Sequence, residues 1–205
     1  SQTPFAGVAT VYYENGQLKY KFAYKDGERH GLLEEYYKNG QLRFEANWKY
    51  GKQHGPSEWY YENGQLEGKT IWKDGEQNGL YESYHENGQL KFKVTYKDGE
   101  EQGPYEAYHE NGQLSSKKTY KDGDLNGLYE GYYENGQLME KAIYKDGKQQ
   151  GLVEQYHKNG QLWSTQTYKD GEKHGPYESY RANGQKNDYP YCYQNGSQVD
   201  MSKCK

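Results

Sequence analysis

Polar and hydrophobic residues alternate along this chain in short runs, and the runs come in pairs. Gly79-Leu-Tyr-Glu-Ser-Tyr-His is followed by Glu-Asn-Gly-Gln, and Leu90-Lys-Phe-Lys-Val-Thr-Tyr by Lys-Asp-Gly-Glu. A period of two places successive side chains on opposite faces of an extended strand. Asn-Gly and Asp-Gly between such runs are strong hairpin signals, because the tight turns they favour need positive φ. The pattern therefore predicts two antiparallel strands per pair of runs.

The Asn-Gly pairs fall at 15–16, 39–40, 63–64, 87–88, 111–112, 135–136, 159–160 and 183–184, every step being 24 residues. Self-similarity at a fixed period marks a repeat architecture. The expected fold class is all-β: an elongated, twisted, single-layer antiparallel meander of eight 24-residue β-hairpin repeats, with sixteen strands. Residues 1–7 read as an N-terminal lead-in, 8–187 as the repeats and 188–205 as a C-terminal cap formed by a degenerate half-repeat.

A two-residue turn at Asn87-Gly88 predicts Tyr84 opposite Lys91, Glu82 opposite Lys93 and Gly79 opposite Tyr96. Stacking without drift then predicts a four-residue second loop, Asp98 to Glu101, closed by Lys97 and Gln102, with Tyr96 also facing Gly103. Three rows follow. One alternates Glu82, Lys93, Glu106, Lys117, Glu130, Lys141 and Glu154, a line of opposite charges. One alternates Gly79, Tyr96, Gly103, Tyr120, Gly127 and Tyr144, rings over glycines. One sets Tyr84, Tyr108 and Tyr132 beside Lys91, Ser115 and Met139. Leu80, Glu82, Tyr84 and Lys93 share one face; Tyr81, His85, Leu90, Phe92, Val94 and Tyr96 share the other, more apolar face.

Composition changes this picture in one respect. Leu, Ile, Val and Phe number only 24 of 205 residues, a content usual for disorder, but the net charge is −4 and there are 26 tyrosines. Tyrosine packs its ring while keeping its hydroxyl wet, so a thin folded sheet is expected. The interspersed charges give no basic footprint for nucleic acid, and no apolar run is long enough for a transmembrane helix. Cys192 and Cys204 both lie in the terminal segment and are expected to form a disulfide, which points to an oxidising compartment. The chain starts at Ser1 without Met, as after removal of a signal or anchor. Together these point to a periplasmic or otherwise exported protein, with membrane association through a removed N-terminal anchor as an accompanying expectation.

No residue set reads as catalytic. His30, His54 and His174 occupy one loop column; His85, His109 and His157 replace the tyrosines Tyr13, Tyr37, Tyr61 and Tyr133 as flat polar rings. Asp74-Gly75-Glu76 and Asp98-Gly99-Glu100 read as turns, since a calcium loop needs oxygen ligands at alternating positions. No metal and no cofactor are expected. Asn195-Gly196-Ser197 matches a glycosylation sequon and also the expected turn, and the turn reading is preferred.

The Gly, Glu and Tyr of the first strand, Asn-Gly-Gln-Leu up to its loss at Lys186, and the Tyr/Trp of the second strand recur and read as scaffold. Function is expected in the columns that vary, two of which stand out. One runs Val11, Glu35, Trp59, Ser83, Ala107, Gly131, Gln155, Ser179; the other Lys19, Arg43, Glu67, Lys91, Ser115, Met139, Trp163. Large aromatics on a thin sheet are candidates for partner anchors. Trp163 is expected between Tyr156 and Tyr180 on the Glu/Lys/Tyr face, and Trp59 between Phe44 and Gly68 on the other. The candidate partner-binding residues are Trp59, Tyr84, Tyr108, Tyr132, Met139, Tyr156, Trp163 and Tyr180.

The recurring Gly-x-Tyr-Glu-x-Tyr-Tyr-Glu-Asn-Gly-Gln-Leu…Tyr-Lys-Asp-Gly-Glu-x-x-Gly resembles the MORN-repeat variant family, including bacterial proteins labelled YwqK-type antitoxins. The resemblance implies a sheet of stacked hairpins used for binding rather than catalysis. Some bacterial relatives resemble immunity proteins that neutralise secreted toxins, such as type VI phospholipase effectors. The expected function is thus a non-enzymatic immunity protein that blocks a cognate toxin sterically through the concave surface of its sheet. The alternatives are a scaffold at a membrane or cell wall and a carbohydrate-binding module. Eukaryotic MORN proteins carry a Tyr-x-Gly-x-Trp core that is missing here, which weighs against lipid binding. The oligomeric state is not legible.

Overall fold

A computed structural model describes residues 4–188 and 190–204. Residues 1–3 of the expected lead-in, and Tyr189 and Lys205 of the expected cap, lie outside the described residues. The chain forms two compact units, residues 1–100 and 101–205. Each is an antiparallel meander in which every strand pairs with the next one or two along the chain. Among the described residues there are nineteen strands and one 3-10 turn, Met201–Lys203. Fifteen of the sixteen expected arms are strands, and the sixteenth is the single bridge Tyr180–Lys186. Two arms are split, at Asn78 and Asn126, and the tail adds Tyr191–Gln194 and Ser197–Val199.

The charged row has the predicted register. Glu82 pairs with Lys93 in the first unit; Glu106 pairs with Lys117, Lys117 with Glu130, Glu130 with Lys141 and Lys141 with Glu154 in the second. Gly79 faces Tyr96 and Gly127 faces Tyr144, also as predicted.

Both turns differ from expectation, in compensating ways. Asn87 does not adopt positive φ; only Gly88 does, at 82°. The His85 carbonyl accepts from the Gly88 N–H at 2.8 Å, and the His85 N–H donates to the Gln89 carbonyl at 2.8 Å. This is a three-residue loop, a type I turn ending in a left-handed glycine with an adjoining bulge. The Asn87 Oδ1 selects it by accepting the Gln89 N–H at 2.9 Å. The longer loop pairs Tyr84 with Leu90, not Lys91, and Leu90 therefore stands opposite Tyr84 rather than on the Tyr81 face. Lys91 is left out of the ladder as the bulged residue, after which Ser83 meets Phe92 and the predicted register returns. Ser115 and Met139 are bulged in the same way, so Tyr108 faces Leu114 and Tyr132 faces Leu138.

The Asp-Gly turn is the tight one. Asp26 (φ 53°) and Gly27 (φ 81°) form a two-residue loop closed by the pair Lys25–Glu28. The expected four-residue loop, exemplified by Asp98 to Glu101, is replaced in this way at each such turn inside the units. A bulge then follows: Tyr24 pairs with Arg29 while Phe22 pairs with Leu33. Tyr120 accordingly faces Leu125, not Gly127, so the ring row covers glycine on one side only.

The core is one layer deep. Leu33, Ala46 and Val94 are buried in the first unit, with Ser57, Thr70 and Ser83; Ala142, Val153 and Cys192 are buried in the second, with Ser164 and Gln166. These small residues run down the centre of the predicted apolar face, where Leu33 faces Ala46 and Tyr81 faces Val94. Aromatic rings flank the line, such as Tyr81–Phe92 with centroids 5.2 Å apart.

Successive hairpins are also stitched edge to edge. The Tyr61 hydroxyl donates to the Tyr84 carbonyl at 2.7 Å, and Tyr13, Tyr37 and Tyr133 make the same bond one repeat onward. His109 and His157 use Nε2 for it, to Tyr132 and Tyr180 at 2.9 Å. At the other end, turn aspartates accept from a side chain twenty residues earlier: Asn78 to Asp98, Asn126 to Asp146, Gln150 to Asp170. In the tail, Tyr191–Gln194 pairs with the strand Glu172–Ser179, and Asn195-Gly196 forms another two-residue turn. A Cys192–Cys204 disulfide, with Cα atoms 5.7 Å apart, ties the end of the chain back to this strand.

Candidate functional site

The repeat grammar uses most of its own polar atoms. In the second unit the Tyr132 hydroxyl donates to Glu130 at 3.1 Å, and Glu130 in turn holds the Lys117 ammonium at 2.6 Å. Lys117 is the main reason that the Glu130 carboxyl lies below its ordinary pKa. Tyr84, Tyr108 and Tyr180 make the same hydroxyl bond to Glu82, Glu106 and Glu178. Burial raises the Tyr132 and Tyr156 hydroxyls, with hydrogen bonding or charge from the adjacent glutamate adding to it. Glu101 and above all burial push Tyr120 up to about 12. These candidate residues are half-buried struts whose hydroxyls already have partners, leaving mainly ring edges for any ligand.

The two variable columns behave differently. Trp59 sits where expected, facing Phe44 and Gly68. Its half-buried ring lies 5.2 Å from Phe44 and 6.3 Å from Tyr81, whose own edge covers Gly68. Glu67, Gly68, Tyr81 and Ser83 line a shallow hollow beside it. Elsewhere in its column Ser83 faces Phe92 and Gly131 faces Glu140. That column packs the sheet.

The other column is the bulge column. Of its two expected neighbours Trp163 meets only Tyr180: Tyr156 faces Leu162, and on that side Trp163 is the extra residue. Its carbonyl accepts the Tyr180 N–H at 2.7 Å, while its ring is 46% exposed and lies 6.1 Å from His157. Met139 is 37% exposed, over Gly131. In the first unit, Lys19 lies against the Tyr13 and Tyr20 rings, and Arg43 reaches Glu35 at 2.6 Å. A bulge re-aims the side chain it carries, and here it does so once per repeat, with a different residue each time. The signal was present as a variable column; its exemption from the ladder was not.

Trp59 and Trp163 belong to different units, so the structure does not assemble the candidate residues into one pocket within either unit. Among the described residues, no three or more His, Cys, Asp or Glu side chains are grouped to hold a metal ion.

Comparison with curated proteins returns no match. The family pattern described as MORN repeat variant matches residues 6–26, 29–50, 53–74, 77–98, 101–122, 125–146 and 149–170. Seven units are matched, and the eighth Asn-Gly turn folds like the others, with the Gly184 N–H donating to Arg181 at 2.8 Å. With most of its length covered by these matches, the chain belongs to the MORN repeat variant family.

Proposed function

We propose that the chain is a non-enzymatic protein-binding module that recognises its partner through the bulge column. Repeats of this family generally take part in protein or membrane binding. The observation that carries the protein reading is that Met139 and Trp163 are partly exposed and bulged from the pairing with the preceding strand while the surrounding tyrosines are committed to the sheet. Unpaired, partly exposed Trp and Met side chains on a rigid frame are suited to desolvation by a protein surface. The partner favoured by the resemblance to YwqK-type proteins is a cognate secreted toxin, such as a type VI phospholipase effector, neutralised by steric occlusion. A disulfide in the tail supports an exported, periplasmic setting for that encounter.

Co-purification with the product of the neighbouring gene, tested for toxicity, checks the proposal. A one-to-one complex that protects the toxin's target and weakens in Trp163→Ala is expected. Absence of any complex, with retention on peptidoglycan or glycan beads instead, would turn the assignment to a wall-binding module.

A further inference from the structure

The eight tight turns act as internal controls for one another. Seven carry Asp or Asn at the left-handed first position: Asp26, Asp74, Asp98, Asp122, Asp146, Asp170 and Asn195. The remaining one carries Tyr50, at φ 51°. Asn and Asp tolerate that conformation, whereas a bulky aromatic there is an outlier. Three departures coincide at this turn. Tyr50 is strained and 63% exposed. His30, which stands where His54 meets Asp74 at 3.2 Å, finds no carboxylate at Tyr50; its buried Nδ1 has no partner. The closing pair is Lys49–Lys52, where the neighbouring turns have Lys25–Glu28 and Lys73–Glu76. Strain, an orphaned buried polar atom and a like-charge pair are each unfavourable.

These departures build a single object. The Tyr50 ring projects from the turn, braced edge-on by His30 at 5.3 Å and by the Lys49 ammonium 5.6 Å from its centroid. Arg29, whose carbonyl accepts the Gly51 N–H, holds its guanidinium 4.9 Å over Trp48. Lys49 and Lys52 thus close the turn that carries one exposed tyrosine, with the Lys49 ammonium against its ring and the Lys52 stem over Gly75 of the next turn. The second Lys–Lys turn, Lys145–Lys148, differs because Asp146 lies between its lysines.

We infer that the turn Lys49-Tyr50-Gly51-Lys52 is a docking knob for a carboxylate-rich segment of a partner protein. The tyrosine supplies a rigid amphipathic anchor and the lysines the complementary charge. Asp26 and Glu28 in the preceding turn, and Asp74 and Glu76 in the following one, flank the knob in sequence order. A flat anionic bilayer would bring its headgroups against those carboxylates, whereas a narrow acidic segment need not. The inference rests on the reading of the chain as a protein-binding module and adds a second contact, remote in sequence from Trp163.

The test titrates the isotope-labelled full chain with hexaglutamate, and separately with phosphatidylcholine vesicles containing phosphatidylserine. Hexaglutamate should shift the amides of residues 49–52, and do so about tenfold more weakly in Lys52→Gln and in Tyr50→Asp. Tyr50→Asp should at the same time raise the melting temperature, by relieving the backbone and giving His30 its acceptor. Shifts equal in all variants, or centred on Lys145–Lys148, would overturn the site. Vesicle binding that depends on Tyr50 without a peptide response would overturn it in favour of a membrane contact. A captured protein partner whose affinity ignores Tyr50→Asp would overturn the knob alone and leave the protein-binding reading standing.

Discussion

Glu45 stands directly opposite Glu58 on the neighbouring strand, and Glu34 faces Glu45 from the other side. Elsewhere in the row glutamate faces lysine, except that Glu154 and Glu178 face Thr165. Burial, and then the charges of Glu58 and Glu34, raise the Glu45 carboxyl above its ordinary pKa. Like charges directly opposite destabilise a strand pair, and opposite charges contribute about 0.2–1 kcal/mol each. Glu45→Lys should therefore stabilise the chain by roughly 0.5–2 kcal/mol, read as a higher denaturation midpoint.

The pH dependence of two glutamates should have opposite signs. The folded pKa of Glu45 is raised, so its penalty is full above that value and is relieved as pH falls through it toward the unfolded value. Glu130 is lowered by Lys117, so its contribution is present above the unfolded pKa and lost as pH falls through the folded one. Below neutral pH, Glu45→Gln should remove a gain in stability on acidification, and Glu130→Gln should remove a loss. Denaturant titrations at closely spaced pH values resolve the two.

The bond from Tyr61 to the Tyr84 carbonyl needs only a donor at the right reach. Tyr61→Phe should cost about 0.5–1.5 kcal/mol. Tyr61→His should cost less than Tyr61→Phe, because His109 and His157 make the same contact. Equal losses in the two variants would mean that ring packing, not the hydrogen bond, sets the requirement.

Gly136 sits at φ 80°, and a Cβ there would meet the Gln113 Oε1 at 2.8 Å. The glutamine end can swing aside, but the left-handed backbone cannot. Gly136→Ala should cost about 1–2 kcal/mol from conformation, and Gly136→Asn should cost less, since Asn tolerates that region. Thermal melts of the two variants give the comparison.

Trp59 and Trp163 should separate packing from recognition. Trp59→Ala removes the ring packed against Phe44 and Tyr81 and should destabilise by about 1–3 kcal/mol. Trp163→Ala touches an exposed bulge and should stay within about 0.5 kcal/mol. A cold, stable Trp163→Ala with weakened partner binding is the expected outcome; comparable unfolding losses at both positions would place Trp163 in the scaffold.

The hairpin order and the Glu82–Lys93 register were legible because they depend on the total residue count between strands. A three-residue loop plus one bulged residue consumes the same length as the two-residue turn expected at Asn87-Gly88 together with the pair that closes it. The count is right even though the turn is different. The local geometry was not legible, because Asn-Gly serves both turn types and the choice rests on where the Asn87 side chain finds a donor. Asp26-Gly27, read as part of a longer loop, adopts the tight turn instead. The tyrosine staples had a visible trace, the exchange of Tyr for His in one column, but their carbonyl acceptors lie a full repeat away. Tyr50 is visible in sequence as a Tyr-Gly where the other turns have Asp-Gly or Asn-Gly, but its left-handed backbone is legible only in the folded chain.

The bulge after each Asn-Gly loop has a consequence for how such a chain can change. One side chain per 24 residues is excused from strand pairing, so replacing it leaves the register of its neighbours intact. Duplication of a repeat adds one more such position without rewriting the old ones. Binding preference and foldability are thereby written in separate letters, and mutation can respell one while the other still reads the same.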